Sequence, residues 1–518
     1  MSSFDIISIN NTNIVITNRS TGNPIQGVIT PAQLNVSYAI GSIPTCTVVL
    51  TDGHPFDGFD IGYSLISQVL TEFRTGNLDI SVSFNVSFIS PGQGVISKKD
   101  ISIFKGVVTA VNLNDSASAY GNSAHSVVIT AYHRFSELYQ YGANGMIYCT
   151  PSSINTYGSL TDLIKSMQAT NKSNLTSTDV FNASIVQAVL DRHTVTGDGS
   201  SRKDPRSAIV TVIDDITKTM IENKIIEPSD NLKITDYIEG STYPIMSSKF
   251  VRTFTKGYLE NFWSSVSSGS IGSSILTIAT SRYNMLTVAP RSSDKLTIIP
   301  LDGITVYDPI PMVSKDMYHS IDYNIPKGIH PEADGVLIAK SGSDYYAPNS
   351  GDNGVIIGKY PNIKSDTKIR WKYVMAPSWL ADREAYESTA PKGSKPGTTD
   401  KSFKDTCNVY AEYLYKGIIH EDNRAILSMD ARCIEAFKAL GSVIGVETMQ
   451  FNTIQGLFTA YDLSYTQSAK SSSLSINVHL SHVMEYSKDS NNITNSKLFE
   501  IEDSDKIHEF PDISKGTI

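Results

Sequence analysis

The stretch from Leu78 to Phe88 constrains this chain more than any other. Leu78, Ile80, Val82, Phe84, Val86 and Phe88 alternate without a slip with Asp79, Ser81, Ser83, Asn85 and Ser87. A strict period of two sends one set of side chains to each face of a strand, so the segment predicts a half-buried antiparallel strand. Such a strand needs neighbours of its own kind, and they are close by. Thr45 to Leu50 is a β-branched run closed by an Asp52-Gly53 turn. Ile103 to Val111 is another strand, and Gly106 inside it marks a bulge or a close backbone approach. With Ser126–Tyr132 added, the region from Leu34 to about Pro151 reads as almost entirely β.

The rest of the chain is mixed. Asp60–Arg74 reads as a helix or an irregular loop, and His133 to Leu138 ends the strand before it. Helical spacing governs Thr156–Ala169, Val180–Leu190 and, most clearly, Ala208–Lys224. Tyr258–Ser267 is a further helix, followed by a Ser/Gly hinge and strands near 275–280, 285–289 and 295–299. Between Tyr307 and Asp400, Pro, Gly, Asn and Asp cluster around short strands at Gly335–Ala339 and Gly354–Gly358. Asp405–His420 is again helical. Near the end, Leu474, Ile476, Val478 and Leu480 share one face of a strand.

Composition narrows the class. A hydrophobic share of 40% with 18% charged residues is that of a folded, non-membrane chain. No apolar run approaches the roughly 20 residues of a spanning helix, and Met1-Ser-Ser-Phe-Asp5 has no secretory pattern, so assembly in a cytoplasm is expected. Lys+Arg 43 against Asp+Glu 52 leaves a net charge of -9, which opposes wrapping of nucleic acid but allows DNA to slide past. Cys46, Cys149, Cys407 and Cys433 are scattered and expected to be reduced.

Motifs for chemistry are missing. Gly354 to Tyr360 has only three residues between its glycines and a tyrosine where a phosphate loop needs Ser or Thr, so strand and turn is the reading. There is no Gly-x-Ser-x-Gly elbow and no His-Glu-x-x-His. His479 and His482 are an odd number of residues apart, on opposite faces of a strand. His482 is expected to be a hydrogen-bonded core residue, and Asp214-Asp215 a solvated pair on a helix. No catalytic residue, cofactor or metal is predicted.

The order Ile43-Pro44-Thr-x-Thr-Val-Val-Leu50-x-Asp52-Gly53, then Ile103-Phe104-Lys-Gly106-Val-Val-Thr-Ala-Val111, resembles the opening barrel of phage baseplate hub proteins and of the hub half of type VI secretion spike proteins. Gly441–Glu447, Gly456–Tyr465 and Leu474–Val483, with His482-Val483 at its close, are similar to that family's last strands. The resemblance implies an α+β, mainly β fold: two antiparallel β-barrels joined by a helical region, with a loop-rich insertion. It divides the chain into a first hub barrel (1–150), a helical linker (151–235), a mixed hub region (236–306), the insertion (307–400), the closing helix and strands of the second barrel (401–487) and a polar tail (488–518).

Ile43, Pro44, Asp52, Gly53, Phe104 and Gly106 become scaffold positions of the first barrel, and His482 of the second. The implied role is structural, not enzymatic: a homotrimer offering six near-equivalent surfaces to a hexameric tail tube and threefold symmetry to a trimeric spike. Baseplate wedge proteins are further partners. The genome passes through the ring without sequence-specific binding, in the tail baseplate of a virion assembled in the host cytoplasm, with no membrane insertion. Two other readings are a wall or polysaccharide hydrolase with an acid pair in 307–400, and a receptor-binding module using Tyr345-Tyr346 or Trp371 and Trp379.

Overall fold

A computed structural model describes residues 6–25, 31–51, 61–90, 94–117, 123–140, 147–149, 180–182, 286–300, 312–324, 333–339, 356–361, 370–376, 423–448, 453–467 and 471–485, with a few single positions between them. The N-terminal part holds β1 (Ile6–Asn18), β2 (Gln33–Ala39), β3 (Thr45–Thr51), α1 (Ile61–Thr75), β4 (Leu78–Ser90), β5 (Gly94–Ala117) and β6 (Ser123–Tyr132). Short strands β7 (Ile147–Cys149) and β8 (Val180–Asn182) pair with each other. The hairpin β9 (Leu286–Ser292) and β10 (Lys295–Pro300) follows, then β11 (Met312–Val313) and β12 (Tyr318–Asn324). A three-stranded sheet has β13 (Gly335–Ala339) between β14 (Ile356–Tyr360) and β15 (Trp371–Met375). The closing strands are β16 (Arg424–Met429), β17 (Val443–Glu447), β18 (Thr453–Gln467) and β19 (Ser472–Glu485).

Both ends of the chain build a single twelve-stranded sheet, in the order β1-β4-β5-β6-β3-β2-β18-β19-β16-β12, with β17 branching from β18 and β11 from β17. The join is β2 against β18: Ser37 lies opposite Asp462 and Tyr38 opposite Tyr461. One edge of β2 is taken by β3 after a turn at Ala39–Ser42, where Ser42 N–H donates to the Ala39 carbonyl at 3.2 Å. Gly41 has φ 68° there, a left-handed value that side chains disfavour. The same turn recurs at Ala439–Ser442, with Gly441 at φ 84° and a 3.1 Å bond. The second edge of β2 is left for β18.

This corrects the expectation of two separate closed barrels. Among the described residues the sheet is open, ending at β1 and β12, and the two end modules are neighbours in it. Side-chain alternation, by contrast, holds as read. Leu34, Val36 and Tyr38, Cys46, Val48 and Leu50, and Ile476, Val478 and Leu480 all point into one continuous core. Val69 on α1, Ala289 on β9, and Ile434, Phe437 and Leu440 cover that apolar face.

β5 carries an extra residue at Ile103 against β4 and another at Thr109 against β6. A further extra residue, Ile96 against β4, lies near its start, and such bulges increase local twist. Gly106 lies between Ile103 and Thr109 in register with Ile80, so it marks a close approach and not a bulge.

Other expectations meet the structure unevenly. The segment after Asp60 is a helix, and 134–140 is a 3-10 helix. Val180–Asn182 is strand where a helix is predicted, and Leu276 is helical where a strand is. Gly358–Tyr360 lies in β14, in keeping with strand in place of a phosphate loop. Cys407, Asn408, Ala411, Leu414 and Tyr415 are helical as expected. Thr156–Ala169, Tyr258–Ser267 and the tail fall outside the described residues, as does Ala208–Lys224 apart from helical Lys218.

Candidate functional site

Where the two modules meet, three aromatic rings are fully buried. Alternation along β2 aims Tyr38 inward, and alternation along β18 aims Tyr461 beside it. Phe437, on the 3-10 helix Ala436–Ala439, stacks on Tyr38 with ring centroids 4.6 Å apart and planes at 8°. The same ring meets Tyr461 edge-on at 5.7 Å. Buried hydroxyls need partners. Tyr38 Oη donates to the carbonyl of bulged Ile103, and Tyr461 Oη to that of Ile434 at 2.7 Å. Burial pushes both phenols well above their ordinary pKa, so both stay protonated donors. Tyr461→Phe keeps the ring and strands the Ile434 carbonyl; it should lower unfolding stability by about 1–3 kcal/mol, read from denaturant melts.

Over the middle strands the opposite face is mostly polar with few charges; toward the ends of the sheet it carries Asp79 and Asp100 on one side and His479, Arg424 and Asp322 on the other. One row runs across five strands as Thr130, Thr47, Asn35, Ser464 and Ser475, each beside the next. A second runs Tyr132, Thr45, Ser37, Asp462, Asn477, Ser428 and Ser320 out to β12. A third is Val128, Val49, Gln33, Thr466 and Ser473. In these rows Asp462 is the single charged residue. His479 Nε2 lies 2.9 Å from its carboxylate, and that contact, helped by Ser37, holds Asp462 below the usual carboxylate range. Strands sit about 4.8 Å apart, so the hydroxyl and amide carpet is roughly 20 Å wide over five strands and continues toward the edge. At that edge β12 pairs with β16 alone among the described residues, and His319, Ser320, Asp322 and Asn324 are exposed.

Several of the sequence-predicted scaffold residues converge at one corner. Pro44 is buried, and its carbonyl accepts the His133 N–H at 3.0 Å; Ile43 beside it is half-buried. Phe104 is fully buried with its ring over Gly106. Asp52 and Gly53 lie outside the described residues. His482 is half-buried, not core, and takes φ 54°, with Nδ1 2.9 Å from Ser481 Oγ. Trp371 lies against Gly335, half-buried; Tyr345, Tyr346 and Trp379 are outside the described residues.

Sequence reading placed strands near 285–289 and 295–299, where β9 and β10 stand, and His133 at a strand end, but gave them no role, and it passed over Phe437. Arg19 also went unremarked; it pairs with Asp79 and Glu137, each at 2.6 Å, tying the end of β1 to β4 and to the helix after β6. The available signal was chemical: an arginine and a histidine at strand ends are costly to bury and need built-in partners.

These features define a β-rich module with a shared core, one polar sheet face and an open edge. No protein-family model and no curated protein matches the chain. Solved structures similar to it include the tail protein from Neisseria meningitidis MC58, at TM-score 0.37 and 7% identity over 91% of this chain and 96% of that one. Prophage tail protein gp18 from Listeria monocytogenes EGD-e matches at 0.32 and 10%, covering 90% and 94%. The E. coli c3393 protein, a type VI secretion component described as similar to T4 bacteriophage tail proteins gp27 and gp5, matches at 0.29 and 8%, covering 93% and 77%. At such low scores the likeness decides nothing about role, and the chain's own residues must.

Proposed function

We propose that this chain is a structural hub subunit of a phage tail baseplate or a related contractile injection machine. Three copies form a ring joining a hexameric tail tube to a trimeric central spike, held in the virion with baseplate wedge proteins around it. The observation that carries this reading is the single sheet built from both chain ends, packed on one face and, over its middle strands, lined mainly with hydroxyls and amides on the other. Nucleic acid is held through cations on its phosphates. The middle rows of this face carry no lysine or arginine, which lets a genome pass without gripping it. Two end modules per subunit would give three subunits six surfaces for a sixfold tube, and the edge of β12, which among the described residues pairs only with β16, offers backbone groups for pairing with a neighbour.

The direct test is mass in solution by light scattering, with the chain alone and mixed with its spike and tube proteins. Particles of three times 56.6 kDa, alone or on the spike, are expected. A species that stays monomeric in every mixture would sink the proposal. Cell-wall or capsule zymography distinguishes the hydrolase reading, since a hub leaves the substrate uncleared.

A further inference from the structure

The hairpin β9–β10 lies outside the large sheet but grips its N-terminal half at a few points. Gly41 N–H donates to the Val288 carbonyl at 2.7 Å and Lys105 N–H to the Ser293 carbonyl at 3.0 Å. The hydroxyls of Ser102 and Ser293 are 2.7 Å apart. Asp294, at the turn, has its carboxylate 2.7 Å from Ser292 Oγ and 3.4 Å from Lys105 Nζ. The last contact is buried: His133 Nε2 lies 3.0 Å from the Asp294 carbonyl oxygen, and only 2% of His133 is exposed.

The other ring nitrogen fixes the proton. Phe135 N–H donates to His133 Nδ1 at 3.2 Å, so Nδ1 presents a lone pair. Nε2 therefore carries the hydrogen and donates it to Asp294. A second proton would sit on Nδ1, head-on to the Phe135 N–H, and would create a cation almost wholly out of water. Among the described residues, charged groups nearby are few. From the hairpin comes the Asp294 carboxylate, already engaged by Ser292 and Lys105; from β5 comes Lys105 itself. On the 3-10 helix, the Arg134 guanidinium turns 3.3 Å to Glu137, which is taken by Arg19 as well. The bend at Pro44 supplies a carbonyl to the His133 backbone and no titratable side chain.

We infer that protonating His133 weakens the hold of the hairpin β9–β10 on the first half of the chain, so that the hairpin opens more often while the twelve-stranded sheet stays intact. The hairpin moves, and not β6, because His133 is pinned through its backbone to Pro44 at the end of a strand paired on both sides. Burial holds the imidazole pKa below its ordinary value, with the Asp294 bond and charge opposing. The sign follows: the closed clamp is at full strength above the free value of about 6.5 and weakens as pH falls below it toward the lower bound value. Because β9 also packs on Ala436–Ala439, opening uncovers the module junction.

Hydrogen exchange of the intact chain, corrected for the intrinsic pH dependence of amide exchange, tests this between about pH 7.5 and about 5.5, either side of the free imidazole value. Exchange at 286–300 is expected to rise below that value by up to about tenfold per pH unit, the limit for one proton taken up on opening. Peptides from 78–90 and 472–485 should not change, and His133→Gln should abolish the rise. Flat exchange at 286–300 in the wild type overturns the inference. So does a rise shared in step by 78–90 and 472–485, which would be general unfolding. If His133→Gln does not fold, His133→Asn serves, and the same rise persisting in either variant also overturns it.

Discussion

Phe437→Ala should destabilise the protein by about 3–5 kcal/mol, the range for emptying a fully buried aromatic site. The ring has no exposure, and it touches both tyrosines that face each other across the seam. Its removal leaves Tyr38 without its stacking surface and Tyr461 without its edge contact. These rings reside on strands from opposite ends of the chain, so the cavity weakens the bond between modules as well as each module. A denaturant titration reads the cost as a shifted midpoint. A double-mutant cycle with Tyr38→Leu should return a coupling of about 0.5–1.5 kcal/mol, the share due to ring geometry. A loss of under about 1 kcal/mol for Phe437→Ala would mean that the seam is not packed around this residue.

Gly106→Val should lower stability by about 1–3 kcal/mol by overpacking. A Cβ at this position would lie 2.2 Å from the Tyr132 carbonyl oxygen and 2.8 Å from two atoms of the Phe104 ring. The ring can rotate away, but the carbonyl belongs to β6 and is held in the sheet. The bulges at Ile103 and Thr109 on either side leave β5 little freedom to slide. Thermal unfolding of the variant measures the effect, and an unchanged midpoint would contradict the close approach. Gly106→Ala should already show part of it, since the clash begins at the first carbon.

The sequence makes faces legible and edges obscure. Leu78, Ile80, Val82, Phe84 and Val86 are all buried, as their alternation requires. The period of two says which side of a strand meets the core, and so the wet face of Ser and Thr could be read as well. It says nothing about which strand lies alongside. Nothing in Leu34–Ala39 announces that Ala460–Thr466, hundreds of residues on, completes its hydrogen bonding, and so two barrels are expected where one sheet stands. The same limit hid the corner at His133. Its local context marks only the end of a strand, and the residue is buried because a hairpin around Asp294 covers it. Phe437 escaped notice for a related reason: its value comes from where Tyr38 and Tyr461 stand, not from any spacing of its own.

The pairing of β2 with β18 also bears on how the protein is made. At about 5–20 residues per second, a ribosome that has released Ala39 needs on the order of half a minute or more to deliver Thr466. Throughout that interval the early strands present a bare row of amide donors and acceptors at the rim that the late strands will occupy. A nascent chain in this state is exposed to mispairing with its siblings on the same polysome, a hazard set by the order of its strands.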